Sequence, residues 1–309
     1  MSTKNKTAVL LMAYGSPENL SEVAPYYTHI RGGVRPDEAL IRSLEDRYRA
    51  VGGKTPLHEI TRAQAAALQK LLDQEQVLGK FKVFIGMKHW HPFIKDTLEE
   101  LRKNGIHEII ALALAPHYSQ ISIGGYKKIL DELKHEDEEI KLVEHWHTNK
   151  YLIDCIISQL REKLAEFQKE FAAQPYVLFT AHSLPERIRT WNDPYESQLL
   201  ETSNLIIKNF PNLKWGFSFQ SAGMMGGPWI GPDINENLVA LKNKGEDNIL
   251  VCPIGFVSDN LEIVYDLDIE SKKLADENGI TLRRTDMRNT HPLFIQALYE
   301  EVLKVKDTN

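Results

Sequence analysis

One histidine stands where α/β enzymes keep reactive groups. His182 follows the apolar run 176–181 (YVLFTA) and precedes Ser183, Leu184 and Pro185. In parallel α/β sheets, binding and catalytic residues lie beyond the carboxyl ends of the strands. An imidazole, with an unperturbed pKa of about 6.5, accepts protons or binds divalent metal ions near neutrality. The alternative is a histidine that only hydrogen-bonds its own loop, and position alone leaves both open.

An acidic row lies within the segment SDNLEIVYDLDIE, residues 258–270. If the segment is helical, Glu262, Asp266 and Glu270 recur every four residues and share one face. Like charges at this spacing repel, so such a row is most often a solvated surface. Because this row also follows an apolar strand, its inner end could meet a site, and its outer members could form a path for a hydrated cation. The other two carboxylates fall on different faces of such a helix and are expected at its surface: Asp259 and Asp268.

A third group of candidates is Lys88-His89-Trp90-His91-Pro92, which follows the apolar run 81–86. In an extended chain, His89 and His91 point the same way, as two metal ligands would. No carboxylate or cysteine stands near them in sequence, so the pair does not by itself predict a resident metal site. No P-loop, GxGxxG, HExxH or GxSxG motif occurs, which excludes the common nucleotide, zincin and serine-hydrolase patterns.

The elements that position these residues are short apolar runs alternating with amphipathic stretches of helical length. The predicted strands are 7–13, 81–86, 108–114, 140–145, 176–181, 213–219 and 248–254. Helical patterns lie near 57–76, 92–104, 124–135, 149–171, 195–209, 232–244, 260–277 and 291–305. Near-continuous apolar strands separated by helices predict an α/β fold with parallel sheets covered by helices on both faces.

The chain also repeats itself weakly. LLMAYGSP (10–17) aligns with LFTAHSLP (178–185), which sets Tyr14 opposite His182. Later, the stretch 101–119 resembles 241–258 in its helix–Gly–strand–Ser pattern. Two matches in the same order predict two similar Rossmann-like halves, with a cleft between them as the default site.

We place the N-terminal half at residues 1–150 and the C-terminal half at 151–309. The last helix, about 291–309, could pack back on the first half.

Composition narrows the class of protein. The 309 residues are 42% hydrophobic and 26% charged with a net charge of −6, which argues for a folded protein and against non-specific nucleic-acid binding. The longest apolar run, Ile109 to Ala115, is far shorter than the roughly 20 residues of a membrane-spanning helix. Cys155 and Cys252 lie far apart and cannot form an iron–sulfur or structural zinc cluster. We therefore expect a cytoplasmic protein without a transmembrane segment.

Two of these segments resemble the signatures of a known family. TAHSLPERI (180–188) is similar to the signature of the ferrochelatases, and SDNLEIVYDLDIE resembles the second signature of that family. Five further segments match in family order and extend the resemblance over nearly the whole chain: PYYTHIRGGVRP (25–36), RYRAVGGKTPL (47–57), IGMKHWHPFI (85–94), APHYSQIS (115–122) and FSFQSAGMMGGPWIGP (217–232). The resemblance implies insertion of ferrous iron into a porphyrin in haem biosynthesis, by two Rossmann-like halves around a porphyrin cleft.

The resemblance also implies roles for individual residues. His182 corresponds to the central active-site histidine, and Glu262 to the glutamate that faces it across the porphyrin, both being catalytic and metal-binding. Asp266 and Glu270 correspond to the outer part of a cation or proton path. Iron is the substrate, so no resident cofactor and no iron–sulfur cluster are expected. We expect a monomer, with haem-pathway proteins as possible partners.

The first strand narrows the type within the family. MAYGSP, with Tyr14, resembles the short Gram-positive-type enzymes, in which this tyrosine can ligate the iron of the product and the substrate is coproporphyrin III. The implied porphyrin-binding residues are Tyr14, Arg31, Arg47, Thr55, Lys88, Tyr126 and Trp229. Arginine suits the propionates because its fork binds carboxylates in a bidentate manner.

Two positions depart from that type. Asn260 stands where such enzymes commonly have a histidine, so the resemblance does not carry a proton relay or metal contact over to this position. His91 stands where the Gram-positive relatives often carry glutamate, so this segment is closer to the wider family. Protoporphyrin IX is therefore the alternative substrate.

Two more distant readings also remain. A cobalt or nickel sirohydrochlorin chelatase would share the two halves and a histidine, but those enzymes lack the SLPE and WxGP context of this chain. A non-catalytic haem-binding protein with two lobes would have no need of a reactive histidine facing a carboxylate.

Overall fold

The computed structural model describes residues 6–74, 80–223 and 227–307. Its chain divides into two compact units. Unit 1 contains the described residues up to Pro116, then Ile121–Trp146, and those from Asn289 onward, whereas unit 2 contains His117–Gln120 and His147–Arg288. The boundary at residues 150 and 151 stays a prediction of the sequence.

Unit 1 is built on a parallel sheet with the strand order β2-β1-β3-β4. Its strands are β1 (Lys6–Ala13), β2 (Lys80–Met87), β3 (Glu108–Ala113) and β4 (Glu139–Val143). Its helices are a 3₁₀ turn (Leu20–Glu22), α1 (Val23–Ile30), α2 (Glu38–Ala50), α3 (Leu57–Gln74), α4 (Ile94–Lys103), α5 (Ile123–Leu133) and the C-terminal α10 (Pro292–Asp307).

Unit 2 repeats this plan with the strand order β6-β5-β7-β8, again all parallel. Its strands are β5 (Tyr176–His182), β6 (Trp215–Gln220), β7 (Asn248–Pro253) and β8 (Thr281–Arg284). Its helices are α6 (Lys150–Phe171), a 3₁₀ turn (Glu186–Trp191), α7 (Tyr195–Ile207), α8 (Ile234–Asn243), a π-helix (Glu262–Ser271) and α9 (Lys272–Glu277).

The second strand in each order, β1 or β5, is enclosed along most of its length. All seven residues from Thr7 to Ala13 are buried in β1, and so are the five from Val177 to Ala181 in β5. Successive side chains of a strand point to opposite faces, so a run without an exposed position requires cover on both faces. The apolar runs of the sequence therefore dictate the layered α/β fold.

The prediction of two similar α/β halves is confirmed, and the internal repeat has a structural counterpart. Helix α4 ends at Lys103 and α8 at Asn243. Two residues beyond, Gly105 and Gly245 adopt positive φ, +66° and +86°, before the chain turns into β3 or β7. Glycine is favoured at this position because a Cβ is strained there. Tyr14 follows the last residue of β1, and His182 is the last residue of β5.

Other elements differ from the sequence-based expectation. Strand β8 and helices α1 and α2 were not predicted, and the segment expected as one helix over 260–277 begins as a π-helix. Across residues 6–74, 80–223 and 227–307, no helix combines the length and apolar character needed to cross a bilayer.

Candidate active site

The backbone and side chain of His182 are both held by hydrogen bonds. The Tyr195 hydroxyl, which is buried, donates to the His182 carbonyl oxygen at 2.9 Å. The side-chain Nδ1 lies 2.5 Å from the carbonyl oxygen of Ser183. A carbonyl oxygen can only accept, so Nδ1 carries the proton and Nε2 keeps the lone pair. The fold thus leaves one nitrogen of His182 able to take a proton or meet a metal ion.

The loop after His182 is fixed as well. The Ser183 N–H donates to the Gln220 carbonyl at 2.7 Å, and its hydroxyl donates to the Ile230 carbonyl at 2.7 Å. The rings of Trp229 and Phe256 have centroids 6.4 and 6.3 Å from that of His182. The structure therefore brings His182 and the predicted porphyrin contact Trp229 together within unit 2.

The acidic row lies on the π-helix, where its members differ in exposure. Glu262 is half-buried, Asp266 is 4% exposed, and Glu270 is exposed. In a π-helix each hydrogen bond joins residues five apart, whereas in an α-helix it joins residues four apart. One turn of a π-helix contains slightly more than four residues, so side chains four apart lie on the same side of the helix. The Ser221 hydroxyl donates to the Asp266 carboxylate. The row thus has a buried carboxylate in the middle, a half-buried one at its start and an exposed one at its end.

Asn260 forms hydrogen bonds with the first turn of the π-helix segment. Its side-chain Oδ1 accepts from the Ile263 N–H at 3.0 Å, and its carbonyl oxygen accepts from Val264 at 3.0 Å. A short polar side chain that satisfies an otherwise unpaired N–H is a typical N-terminal cap. Asn260 therefore stabilises the helix start that carries Glu262.

The expectation that Asp259 and Asp268 are surface groups is wrong in one respect. Arg284 of β8 donates to both carboxylate oxygens of Asp268, at 2.7 and 2.8 Å, and to Oδ1 of Asp259 at 3.0 Å. The side chain of Asp259 is only 19% exposed, whereas that of Asp268 is 40% exposed. These ion pairs tie the π-helix and the segment that precedes it to the edge strand β8, a contact that helical periodicity does not reveal.

Sequence reasoning also missed Gln220, the last residue of β6. Its side chain accepts from the Thr180 hydroxyl at 2.8 Å and donates to the Glu262 carbonyl at 2.9 Å. Gln220 is also the register partner of His182 in the β5–β6 pair. A polar residue at the end of an apolar strand was the available signal.

In unit 1, Tyr14 is 44% exposed at the carboxyl end of β1. Its ring lies 4.5 Å from that of His89, whose Nδ1 is 3.2 Å from Nδ1 of His29. Burial, with smaller contributions from Lys88 and His29, lowers the pKa of His89 to about 3. His89 is therefore a neutral imidazole beside the Tyr14 phenol.

Lys88 and His91 lie in different surroundings. The Lys88 Nζ sits 5.2 Å above the ring of Tyr126, which is buried, and burial lowers the pKa of Lys88. Burial raises the pKa of Tyr126. His91 instead packs its ring 4.4 Å from that of Phe93. His89 and His91 therefore have different neighbours, and they do not form the ligand pair that an extended chain would give.

The remaining predicted porphyrin contacts, Thr55, Arg31 and Arg47, belong to unit 1. Thr55 is 5% exposed and shares a hydrogen bond of 3.0 Å with Ser16, which in turn meets the Tyr48 hydroxyl at 2.9 Å. Arg31 follows α1 and Arg47 lies in the last turn of α2, and both are half-buried. Thr55 thus orders the Tyr14 loop, and its contact with a porphyrin stays a prediction. Within the residues that the structure covers, no group of three or more His, Cys, Asp or Glu side chains is arranged to hold a metal ion.

Comparison with known proteins identifies relatives that align with this chain over nearly their whole length. The Ferrochelatase family model matches residues 6–305. The chain is 43% identical to a ferrochelatase of Herpetosiphon aurantiacus, over 95% of this chain and 97% of the relative. It is 41% identical to a coproporphyrin III ferrochelatase of Oceanobacillus iheyensis over 97% of both chains, and 37% identical to that of Bacillus subtilis over 98% of both.

Solved structures share the architecture at much lower identity. The sirohydrochlorin chelatase SirB of Bacillus subtilis subspecies spizizenii, in complex with cobalt, superposes with a TM-score of 0.58 at 12% identity, covering 98% of this chain and 97% of SirB. CbiX, the terminal enzyme of sirohaem biosynthesis in denitrifying bacteria, gives a TM-score of 0.55 at 13% identity, covering 96% and 98%. At such identities the likeness establishes the fold alone.

The hydrogen bond from His182 to Ser183 predicts a single tautomer. In protein labelled with ¹⁵N-histidine at mildly alkaline pH, where an unperturbed imidazole is neutral, we expect His182 to show a protonated Nδ1 and an unprotonated Nε2. Two-bond ¹H–¹⁵N correlation spectra report this pattern, and loss of the signal in His182→Gln assigns it. A proton on Nε2 would contradict the assignment.

Proposed function

The chain belongs to the ferrochelatase family, which inserts ferrous iron into a porphyrin in haem biosynthesis, and we propose that its porphyrin is coproporphyrin III. The observation that carries this choice is the phenol of Tyr14, half-exposed at the end of β1 and beside the neutral His89. A phenol at this position can serve as an oxygen ligand to the iron of the product. The names of several relatives, coproporphyrin III ferrochelatases at 37–41% identity, support the same choice.

Iron insertion exchanges two protons for one metal ion, and in this proposal His182 and Glu262 handle both. Two pyrrole N–H protons leave as one Fe²⁺ enters, so the macrocycle core is neutral before and after, and no electron is transferred. The unprotonated Nε2 of His182 has one lone pair, with which it accepts a pyrrole proton or meets the metal, one at a time. Glu262 then receives a proton or hands over iron. In this proposal the two residues divide the roles of base and metal ligand.

The acidic row supplies the route to that pair within unit 2. Glu270 is exposed, Asp266 is buried and bound by the Ser221 hydroxyl, and Glu262 begins the π-helix. Carboxylates bind hard divalent ions through oxygen and release them readily when few ligands contribute. We assign Asp266 and Glu270 to the outer path of the cation or of the departing protons.

We further propose that the protein works as a cytoplasmic monomer without a resident cofactor, with Fe²⁺ as a substrate. Handover of the product to a haem-pathway protein belongs to the same proposal. Arg31 and Arg47 are assigned to the propionates of the macrocycle, and Lys88, Tyr126 and Trp229 to its edges.

The substrate choice is tested by anaerobic incubation with Fe²⁺ and, separately, coproporphyrin III and protoporphyrin IX. We expect kcat/KM to be about tenfold or more higher for coproporphyrin III, because protoporphyrin IX lacks two of the carboxylates that basic side chains would bind. A higher kcat/KM for protoporphyrin IX would reverse the choice. Absence of iron insertion into either porphyrin would remove the activity itself.

Replacing the histidine tests the centre of the mechanism. We expect His182→Ala to lower the rate of iron insertion by about 10²–10⁴-fold, the usual contribution of a positioned proton acceptor, while porphyrin binding measured by fluorescence quenching is largely kept. His107→Ala is the control, since His107 is 44% exposed and pairs with Asp137 on the surface. Wild-type insertion by His182→Ala would show that the assignment is wrong.

The role of Tyr14 as an iron ligand is tested by the visible absorption spectrum of the product complex. Tyr14→Met and Tyr14→Phe both remove the phenol oxygen, so we expect the visible absorption spectrum of the bound iron porphyrin to change, with a smaller effect on turnover. Tyr27→Phe, on helix α1, is the control. If all three variants keep the wild-type spectrum, Tyr14 is not a ligand of the product.

A further inference from the structure

Gln220 holds together the two elements that carry the proposed catalytic pair. It is the last residue of β6, is fully buried, and lies opposite His182 in the β5–β6 register. Its main-chain carbonyl accepts from the Ser183 N–H at 2.7 Å. Its side-chain oxygen accepts from Thr180 at 2.8 Å, and its side-chain nitrogen donates to the Glu262 carbonyl at 2.9 Å. Gln220 thus makes hydrogen bonds to Thr180 before His182, to Ser183 after it, and to Glu262.

The chemistry of these bonds selects glutamine. The side chain must present an acceptor to the Thr180 hydroxyl and an N–H donor to the Glu262 carbonyl, and an amide has both. Glutamate has the same length but no donor when ionised, and methionine has neither group. A buried carbonyl deprived of its donor is destabilised, because it loses its water and gains no partner. The Glu262 backbone is therefore expected to move if this donor is removed.

We propose that Gln220 is a positioning residue for metal insertion, which fixes the start of the π-helix at Glu262 relative to His182. The inference rests on the proposed function of that pair and adds a device that sets its geometry. Misplacement of reacting groups by about 1 Å can cost roughly 10²-fold in rate. The effect should therefore fall on kcat, with little change in KM for the porphyrin.

Several contacts other than that of Gln220 also hold the π-helix in place. Asn260 caps its first turn, and the Ser221 hydroxyl donates to Asp266. Arg284 pairs with Asp268 in the helix and with Asp259 before it. Ile263 and Leu267 pack in the core of unit 2. Changing Gln220 should therefore alter the placement of Glu262 without unfolding the helix.

Gln220→Glu makes the position sensitive to pH. Burial raises the pKa of a carboxyl group, to values of about 6–9 in documented cases. Below that pKa, the protonated acid can donate its O–H to the Glu262 carbonyl and replace the amide. Above it, the carboxylate has no donor and faces the carbonyl oxygen. We expect the ratio of variant to wild-type kcat to fall by about 10- to 100-fold as pH rises through this pKa.

Two controls separate positioning from charge and from general damage. Gln159 of α6 is also a buried glutamine of unit 2, and its Nε2 donates to the Met287 carbonyl at 3.0 Å. Gln159→Glu should therefore keep a constant ratio to wild type across the pH range. Gln220→Met, which adds no charge, should lower kcat by a similar factor at every pH.

The outcomes distinguish this inference from the proposed function. A wild-type enzyme that fails to insert iron removes the function, whatever the variants do. A wild-type enzyme that is active, with both Gln220 variants within about twofold of its kcat at all pH values, overturns the positioning role. If Gln220→Glu is poorly folded at high pH by circular dichroism, Thr180→Val loosens the other end of the same amide, and unaltered kcat in that variant also overturns the inference.

Discussion

A central strand buried on both faces is the constraint that organises each unit. Along β1 from Thr7 to Ala13, and along β5 from Val177 to Ala181, every side chain is enclosed. Such a strand cannot carry an unpaired ionisable group within its length, because burial of an unpaired charge is too costly. Reactive side chains therefore lie where the strand ends. Tyr14 and His182 lie at these equivalent ends.

At the end of β5, the fold converts position into a defined chemical state. The carbonyl oxygen of Ser183 accepts a hydrogen bond from Nδ1 of His182. The Tyr195 hydroxyl donates to the carbonyl oxygen of His182. Neither bond touches Nε2. A histidine fixed in this way keeps one lone pair in one direction, which a proton acceptor or a transient metal ligand requires. The end of β1 carries a different group, a phenol beside a neutral imidazole.

Much of this arrangement follows from local sequence, and the rest does not. The apolar runs predicted seven of the eight strands found in the described residues, and the alignment of Tyr14 with His182 predicted the repeated plan. Strand β8 has only four residues, TLRR, of which one is buried, so it lacks an apolar run. The contact of Gln220 with Glu262, and the binding of Asp259 by Arg284, join residues 42 and 25 positions apart. Such contacts depend on how the helix meets the sheet, which periodicity does not encode.

The π-helix changes the meaning of the acidic row. Carboxylates four apart on an exposed α-helix repel one another and usually form a solvated surface. Here Ile263 and Leu267 are anchored in the core, and the residues preceding them, Glu262 and Asp266, follow at the same spacing. Asp266 is therefore buried next to the Ser221 hydroxyl while Glu270 remains in solvent. In the proposed outer path, a divalent cation would offset the repulsion between these carboxylates, because oxygen ligands of like charge are stabilised by a shared cation.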